Sequence, residues 1–205
     1  MDSPPGLSLK EQFGQIDIYL FDQILRGNIA PGMRIVDAGC GGGRNLVYLL
    51  RAGYDVYGFD QSAEAIEQAR SLAASLQPNI SAGNFRVACI EQAPFADEFA
   101  DVVICSAVLH FSRDDEQFSS ILQQLWRIVT PGGMLFCRLG SRIGMEFERV
   151  RGNIYRTGQG AAWYLVDEEM LMRLTAQMNG ELVDPIKTTV VQAQRCMTTW
   201  VLRKR

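Results

Sequence analysis

One stretch limits what this chain can fold into: Arg34-Ile35-Val36-Asp37-Ala38-Gly39-Cys40-Gly41-Gly42-Gly43-Arg44-Asn45, answered further on by Tyr54-Asp55-Val56-Tyr57-Gly58-Phe59-Asp60. A β-branched run ends in an acid and a glycine-rich bend, a helical pattern follows, and a second apolar strand ends in another acid. That is the layout of a βαβ unit that holds a nucleotide-type cofactor. Glycines at 39, 41 and 43 let backbone approach a ligand with no Cβ in between, and a helix beginning near Gly43 would aim its free N–H groups at that ligand. Asp60, at the tip of the second strand, is placed to accept from both ribose hydroxyls, in charge-assisted bonds of roughly 1.5–3 kcal/mol each. The dinucleotide fingerprint G-x-G-x-x-G needs its third glycine at position 44, where this chain has Arg44. A nicotinamide-dependent oxidoreductase is therefore the weaker alternative.

What stands there instead, Asp37-Ala38-Gly39-Cys40-Gly41-Gly42-Gly43-Arg44-Asn45, resembles the first motif of the class I S-adenosylmethionine-dependent methyltransferases. It is particularly similar to the small-molecule members, of the tellurite-resistance-like and methyltransferase-domain 11 and 25 types. Three more segments carry the resemblance. Ala93-Pro94-Phe95 looks like the family's Leu-Pro-Phe, and Val129-Thr130-Pro131-Gly132-Gly133 its Leu-x-Pro-Gly-Gly turn. Ser106-Ala107-Val108-Leu109-His110-Phe111 is similar to the segment after the fourth strand that lines the reaction pocket.

The resemblance implies an α/β fold: a Rossmann-like, doubly wound, seven-stranded, mostly parallel sheet with an antiparallel C-terminal hairpin. It implies S-adenosyl-L-methionine as cofactor and in-line methyl transfer to a small molecule. It also implies roles. Gly39, Gly41 and Gly43 meet the methionine end through backbone, with Cys40 and Asn45 in the same turn, and Asp37 reaches the ammonium directly or through water. Asp60 holds the ribose with Gln61 beside it, and Cys89 and Ile90 flank the adenine. Ser106 and His110 face the transferred methyl as the catalytic candidates.

The chain departs from the family at Cys89, where an acid usually accepts from the adenine amino group. A thiol is a poor acceptor, so the substitute is backbone at Ile90 or the carboxylate of Glu91, unless Glu91 is simply a solvated loop acid. His110, the only histidine, is either a pocket residue and general base or a satisfied structural group; its place at the end of a central strand favours the pocket. The absence of Asn/Asp-Pro-Pro-Tyr/Phe after that strand argues against methylation of amino groups on bases or glutamine. A non-catalytic S-adenosylmethionine-binding module is the second alternative.

With 205 residues and a net charge of -3, the chain is expected to form one domain, 1–205, with no basic footprint for nucleic acid. No run of 18 apolar residues suggests a membrane span. The five cysteines are widely separated with no C-x-x-C pair, so a reducing cytoplasm is expected and no metal site. Residues 1–30 read as an N-terminal segment: a loose tail over 1–10, then a helix over 11–26 whose Tyr19 either lies beside the cofactor or packs ordinarily. Helices are expected over 44–52, 63–75, 114–129 and 167–178, and strands over 33–38, 56–60, 85–89, 101–105, 134–139, 182–192 and 196–202.

Residues 140–166 show no period. Between 138 and 156, Arg138, Arg142, Arg149, Arg151 and Arg156 outnumber Glu146 and Glu148, a local reversal in an acidic chain. The span reads either as solvated surface or as a substrate cap that takes an anionic methyl acceptor, with Tyr155, Trp163 and Tyr164 as its aromatic lining.

Overall fold

The computed structural model describes residues 6–205. In chain order its strands are β1 (Arg34–Ala38), β2 (Asp55–Asp60), β3 (Phe85–Val87), β4 (Ala100–Ser106), β5 (Val129–Gly140), β6 (Glu148–Arg151), β7 (Ile154–Arg156), β8 (Ala162–Tyr164), β9 (Gly180–Leu182), β10 (Lys187–Val191) and β11 (Arg195–Lys204). The helices are α1 (Leu9–Phe13), α2 (Ile18–Leu25), α3 (Val47–Arg51), α4 (Ala63–Leu76), α5 (Asp115–Ile128) and α6 (Glu168–Gln177). The main sheet runs β10-β11-β5-β4-β1-β2-β3, with β9 also on β11. Strands β1 to β5 are mutually parallel, and β11 is antiparallel to β5, β9 and β10.

The period of two along the central strands builds the two faces of the core. Val36, Val103, Cys105, Leu135, Cys137 and Trp200 point to the side covered by α5 and α6. Their neighbours Ile35, Val102, Ile104, Met134, Phe136 and Val201 point to the side covered by α2, α3 and α4. The helices begin as their sequences dictate: Ser62, Asp114 and Asp167 each accept from a backbone N–H of the first turn.

Four expectations are corrected. The segment 11–26 is two helices, because Gly14, at φ +63°, breaks the path, and a Cβ there would lie 2.6 Å from Val47. Of the tail, residues 1–5 lie outside the described residues, while Ser8 and Glu11 cap α1 reciprocally. Second, the helix after the glycine bend starts only at Val47; Gly39, Gly41 and Gly43 have φ of +73°, +53° and +87°, which no helix accepts. Third, the strand placed over 182–192 divides into β9 and β10 around Asp184-Pro185, where proline has no N–H for the ladder, so the sheet gains an eighth strand. Fourth, residues 148–164 are not irregular: β6, β7 and β8 form a separate antiparallel sheet. Its strands of three or four residues are too short to show a period in sequence.

Candidate active site

Strands β1 and β4 are neighbours, yet the chain leaves them in opposite directions, to β2 on one side and β5 on the other. Their carboxyl ends therefore open a crevice between the loops that follow, which is where open α/β sheets bind ligands. The loop after β1 is pinned to β2: the N–H groups of Gly39 and Cys40 donate to the Phe59 carbonyl at 2.8 and 3.1 Å. Asp60 completes the anchorage, accepting from the N–H of Gly41 at 3.0 Å and of Ser62 at 2.9 Å. Each carboxylate oxygen retains a further lone pair.

The glycines differ in what they do. A Cβ on Gly39 would stand 2.6 Å from Val108 Cγ2, whereas one on Gly41 would meet nothing within 4 Å. Gly39 is required by the loops' mutual approach, and Gly41 faces open space. Gly39→Ala, which adds left-handed strain to that overlap, is expected to destabilise the protein by about 2–4 kcal/mol and lower its melting temperature accordingly. A melting temperature unchanged from the parent would contradict this account.

Asp37 lies beneath the bend, buried, and its Oδ2 has no hydrogen-bond partner. Burial raises its pKa to about 7, Arg44 opposes that rise, and the charge of Asp60 adds to it. A buried acceptor lacking a donor, next to an open turn, suits a cationic amine.

Beside these groups lies a cavity of about 330 Å³ lined by Gly39, Asp60, Gln61, Ile90, Glu91 and Val108. Glu91 accepts from Gln117 Nε2 at 2.6 Å, and Gln117 also faces the cavity. Of the expected cofactor residues, Asp37, Cys40, Gly41, Gly43, Asn45, Cys89 and Ser106 do not line it. Cys40 turns its sulfur into the core, 3.0 Å from where a Gly58 Cβ would stand. Asn45 is buried and accepts from the N–H of Asp17 at 3.0 Å, tying α2 to the bend. Cys89 is exposed and borders a neighbouring surface hollow, because β3 ends at Val87 and a short 3-10 turn over Ile90–Gln92 begins just beyond it.

A second cavity, also about 330 Å³, adjoins at Ala107, which lines both. Its walls include Asp17, Arg44, His110, Arg138, Trp163 and Arg195. Ala107 has φ +64°, a conformation that costs a non-glycine residue of order 1–3 kcal/mol and that clusters at functional sites. Its N–H donates to the Arg138 carbonyl at 2.7 Å, holding the bend between the cavities.

His110 is buried between Phe111 and Trp163, its ring 4.3 and 4.4 Å from theirs. Its Nδ1 accepts from the Gly140 N–H at 3.3 Å, so the neutral ring carries its proton on Nε2. Burial pushes its pKa down to about 4. Ser106, expected to face the transferred methyl, is buried, accepts from Arg44 Nη2 at 3.1 Å and lines neither cavity.

Of the five arginines counted in the expected cap, only Arg138 reaches this cavity. Arg142 pairs with Asp167 and Arg156 with Glu148, Arg149 bonds Tyr155, and Arg151 donates to the Arg113 carbonyl. Of the expected aromatic lining, Trp163 is present, while Tyr155 and Tyr164 are buried elsewhere, Tyr164 stacked on Phe118. Tyr19 lies under the Arg138 guanidinium at 4.7 Å and bonds Thr189, lining neither cavity. Sequence reasoning missed Asp17 and Arg195, and it gave Arg44 a place in the glycine motif but none in a cavity wall.

Known proteins resemble this chain in sequence and fold. A family model described as a methyltransferase domain matches residues 36–137. An uncharacterized methyltransferase of Synechocystis is 32% identical over 106 residues, which are 52% of this chain and 46% of that protein. The tRNA 5-carboxymethoxyuridine methyltransferase of Escherichia coli K12 is 28% identical over 114 residues, 56% of this chain and 42% of that one. The matched stretch thus spans less than half the length of these relatives. The crystal structure of a SAM-dependent methyltransferase from Methanosarcina mazei superposes with a TM-score of 0.68 at 21% identity, covering 88% of this chain and 96% of that one. A chain with this sheet order, this glycine bend and this matched stretch belongs to the class I S-adenosylmethionine-dependent methyltransferases.

Proposed function

We propose that this protein binds S-adenosylmethionine at the glycine bend and first cavity and methylates a small molecule seated in the second. The observation that carries the reading is the cavity lined by Gly39 and Asp60 at the glycine bend, with the partnerless, buried Oδ2 of Asp37 near the end of β1. Asp37 would take the ammonium of the methionine end, and the backbone of the bend would pass close to its chain. Asp60 would take the ribose hydroxyls on the lone pairs that Gly41 and Ser62 leave free, and Gln61, Ile90 and Glu91 would border the adenine. When bound, the cofactor supplies a methyl group already activated on a sulfonium for in-line displacement.

What the chain adds is alignment and exclusion of water, and positioning alone can contribute roughly 7–11 kcal/mol to a barrier. The sheet of β6, β7 and β8 would act as the cap, since Trp163 on β8 closes over His110. A module that only bound the cofactor would have no use for a second cavity meeting the first at Ala107. The test is calorimetric titration with S-adenosylhomocysteine, with NAD as the comparison ligand: binding of the first and not the second is expected, and the reverse would remove the reading.

His110 would donate from Nε2 to the acceptor, orienting it, rather than remove its proton. His110→Asn is therefore expected to lower kcat by about tenfold, not the 10²–10⁴ typical of a lost general base. At saturating cofactor, kcat of the parent should show no limb between pH 5.5 and 7.5 that the variant lacks; such a limb would make His110 a base.

A further inference from the structure

The second cavity has more positive charge than the protein neutralises. Arg44, Arg138 and Arg195 face it with Asp17 as the one carboxylate among its lining residues. Asp17 meets Arg138 at Nε, 3.4 Å away, on one edge of the guanidinium. Arg138 Nη1, on another edge, is buried and has no partner. Arg195 makes no ion pair or side-chain hydrogen bond through its guanidinium among the described residues. Arg44 bonds Ser106 and feels the charge of Asp37, so it belongs with the glycine bend. Arg138 Nη1 and the Arg195 guanidinium are left without an acceptor from the protein, on two residues that line this cavity.

We infer that the methyl acceptor carries a carboxylate, held by Arg138 and Arg195 in this second cavity. The inference rests on reading that cavity as the acceptor site. Buried donors without acceptors are costly, and a carboxylate meets guanidinium edges in the planar, forked geometry they are built for. Asp17 in the same wall opposes a second negative charge, which favours a singly charged carboxylate over a phosphate. Trp163, packed at a tilt over the His110 ring 4.4 Å away, gives the site an aromatic lining that suits an unsaturated body next to that group.

The experiment uses the full chain saturated with S-adenosylhomocysteine, titrated with 4-hydroxybenzoate and indole-3-acetate, with the primary amide of each, and with phenyl phosphate. Each acid is expected to bind about tenfold or more tightly than its amide, and more tightly than phenyl phosphate. Arg195→Gln is expected to shrink the acid-to-amide ratio to about threefold or less, with the affinity for S-adenosylhomocysteine within about twofold of the parent's. Equal binding of acids and amides, no binding of either acid, preference for the phosphate, or a ratio untouched in the variant would each overturn the inference while leaving the cofactor reading intact. Failure to bind S-adenosylhomocysteine in the first place would instead remove the cofactor reading and this inference with it.

Discussion

Asp37→Asn is expected to make the protein more stable and worse at its task. With the carboxyl's pKa raised to about 7 by burial, the folded state holds a proton that the unfolded chain releases near pH 4. Below pH 4 the group is protonated in both states and has no effect. Between pH 4 and 7 the unfolded state binds fewer protons, so stability falls as pH rises, and above 7 the full cost, up to about 4 kcal/mol, is in place. An amide of the same shape removes that charge. The variant should melt several degrees above the parent at pH 8 and level with it at pH 4, since about 1 kcal/mol moves the melting temperature of a chain this size by about 2–4 °C.

The same change should weaken S-adenosylhomocysteine binding by about 10- to 100-fold, the loss expected for a charge-assisted bond to an ammonium. In the parent, affinity should decline as pH drops below 7, approaching tenfold per pH unit as the proton competes with the ammonium, and in the variant that dependence should be absent. Calorimetry at pH 5.5, 6.5 and 8 reads both effects. Equal affinity in the two proteins at pH 8 would show that Asp37 does not meet the ligand. Stability falling at pH 8 would show that its charge is not a burden there.

The second large effect is expected at Asp60. Its carboxylate does two jobs, accepting from the N–H groups of Gly41 and Ser62 and presenting its remaining lone pairs to the first cavity. Asp60→Ala removes both, so S-adenosylhomocysteine affinity should fall by about 10- to 1000-fold. Asp60→Asn weakens them unequally: its amide oxygen can keep the Gly41 N–H, while its NH₂ loses the Ser62 N–H and cannot accept from a ribose hydroxyl. If the asparagine variant binds S-adenosylhomocysteine as the parent does, Asp60 supports the bend and does not touch the ribose. Adenine, compared as a weaker control ligand, should lose little in either variant.

These two acids were legible because their signal is local. Asp37 and Asp60 each close an apolar, β-branched run at the carboxyl end of a parallel strand, where Asp60 lines the first cavity and Asp37 is buried. Gly39, Gly41 and Gly43 could be read for the same reason, since positive φ is a property of single residues and glycine takes it freely. His110 was legible as a pocket residue from its place after β4. Its protonation was not, because the backbone N–H that sets the tautomer comes from Gly140, far along the chain.

The second cavity could be read only in part, through His110, Trp163 and Arg138. Met197 on β11 stands opposite Gly140 on β5, and that antiparallel register brings Arg195 and Met197 into the wall that holds Arg138 and His110. Asp17 arrives from the other end of the chain, held by Asn45. The arginines of 142–156, which looked like the anion site when counted by position, are taken up by partners on the surface.

By itself, then, the sequence determined the doubly wound sheet, the glycine bend and the two strand-end acids, because hydrophobic period and backbone preference act over a few residues. Tertiary structure alone decided that Cys40 faces inward and Cys89 outward, that Asn45 braces α2, and that Arg138 and Arg195 share a cavity. Strand register and the direction of a side chain depend on partners distant in sequence, and nothing in the local pattern specifies them.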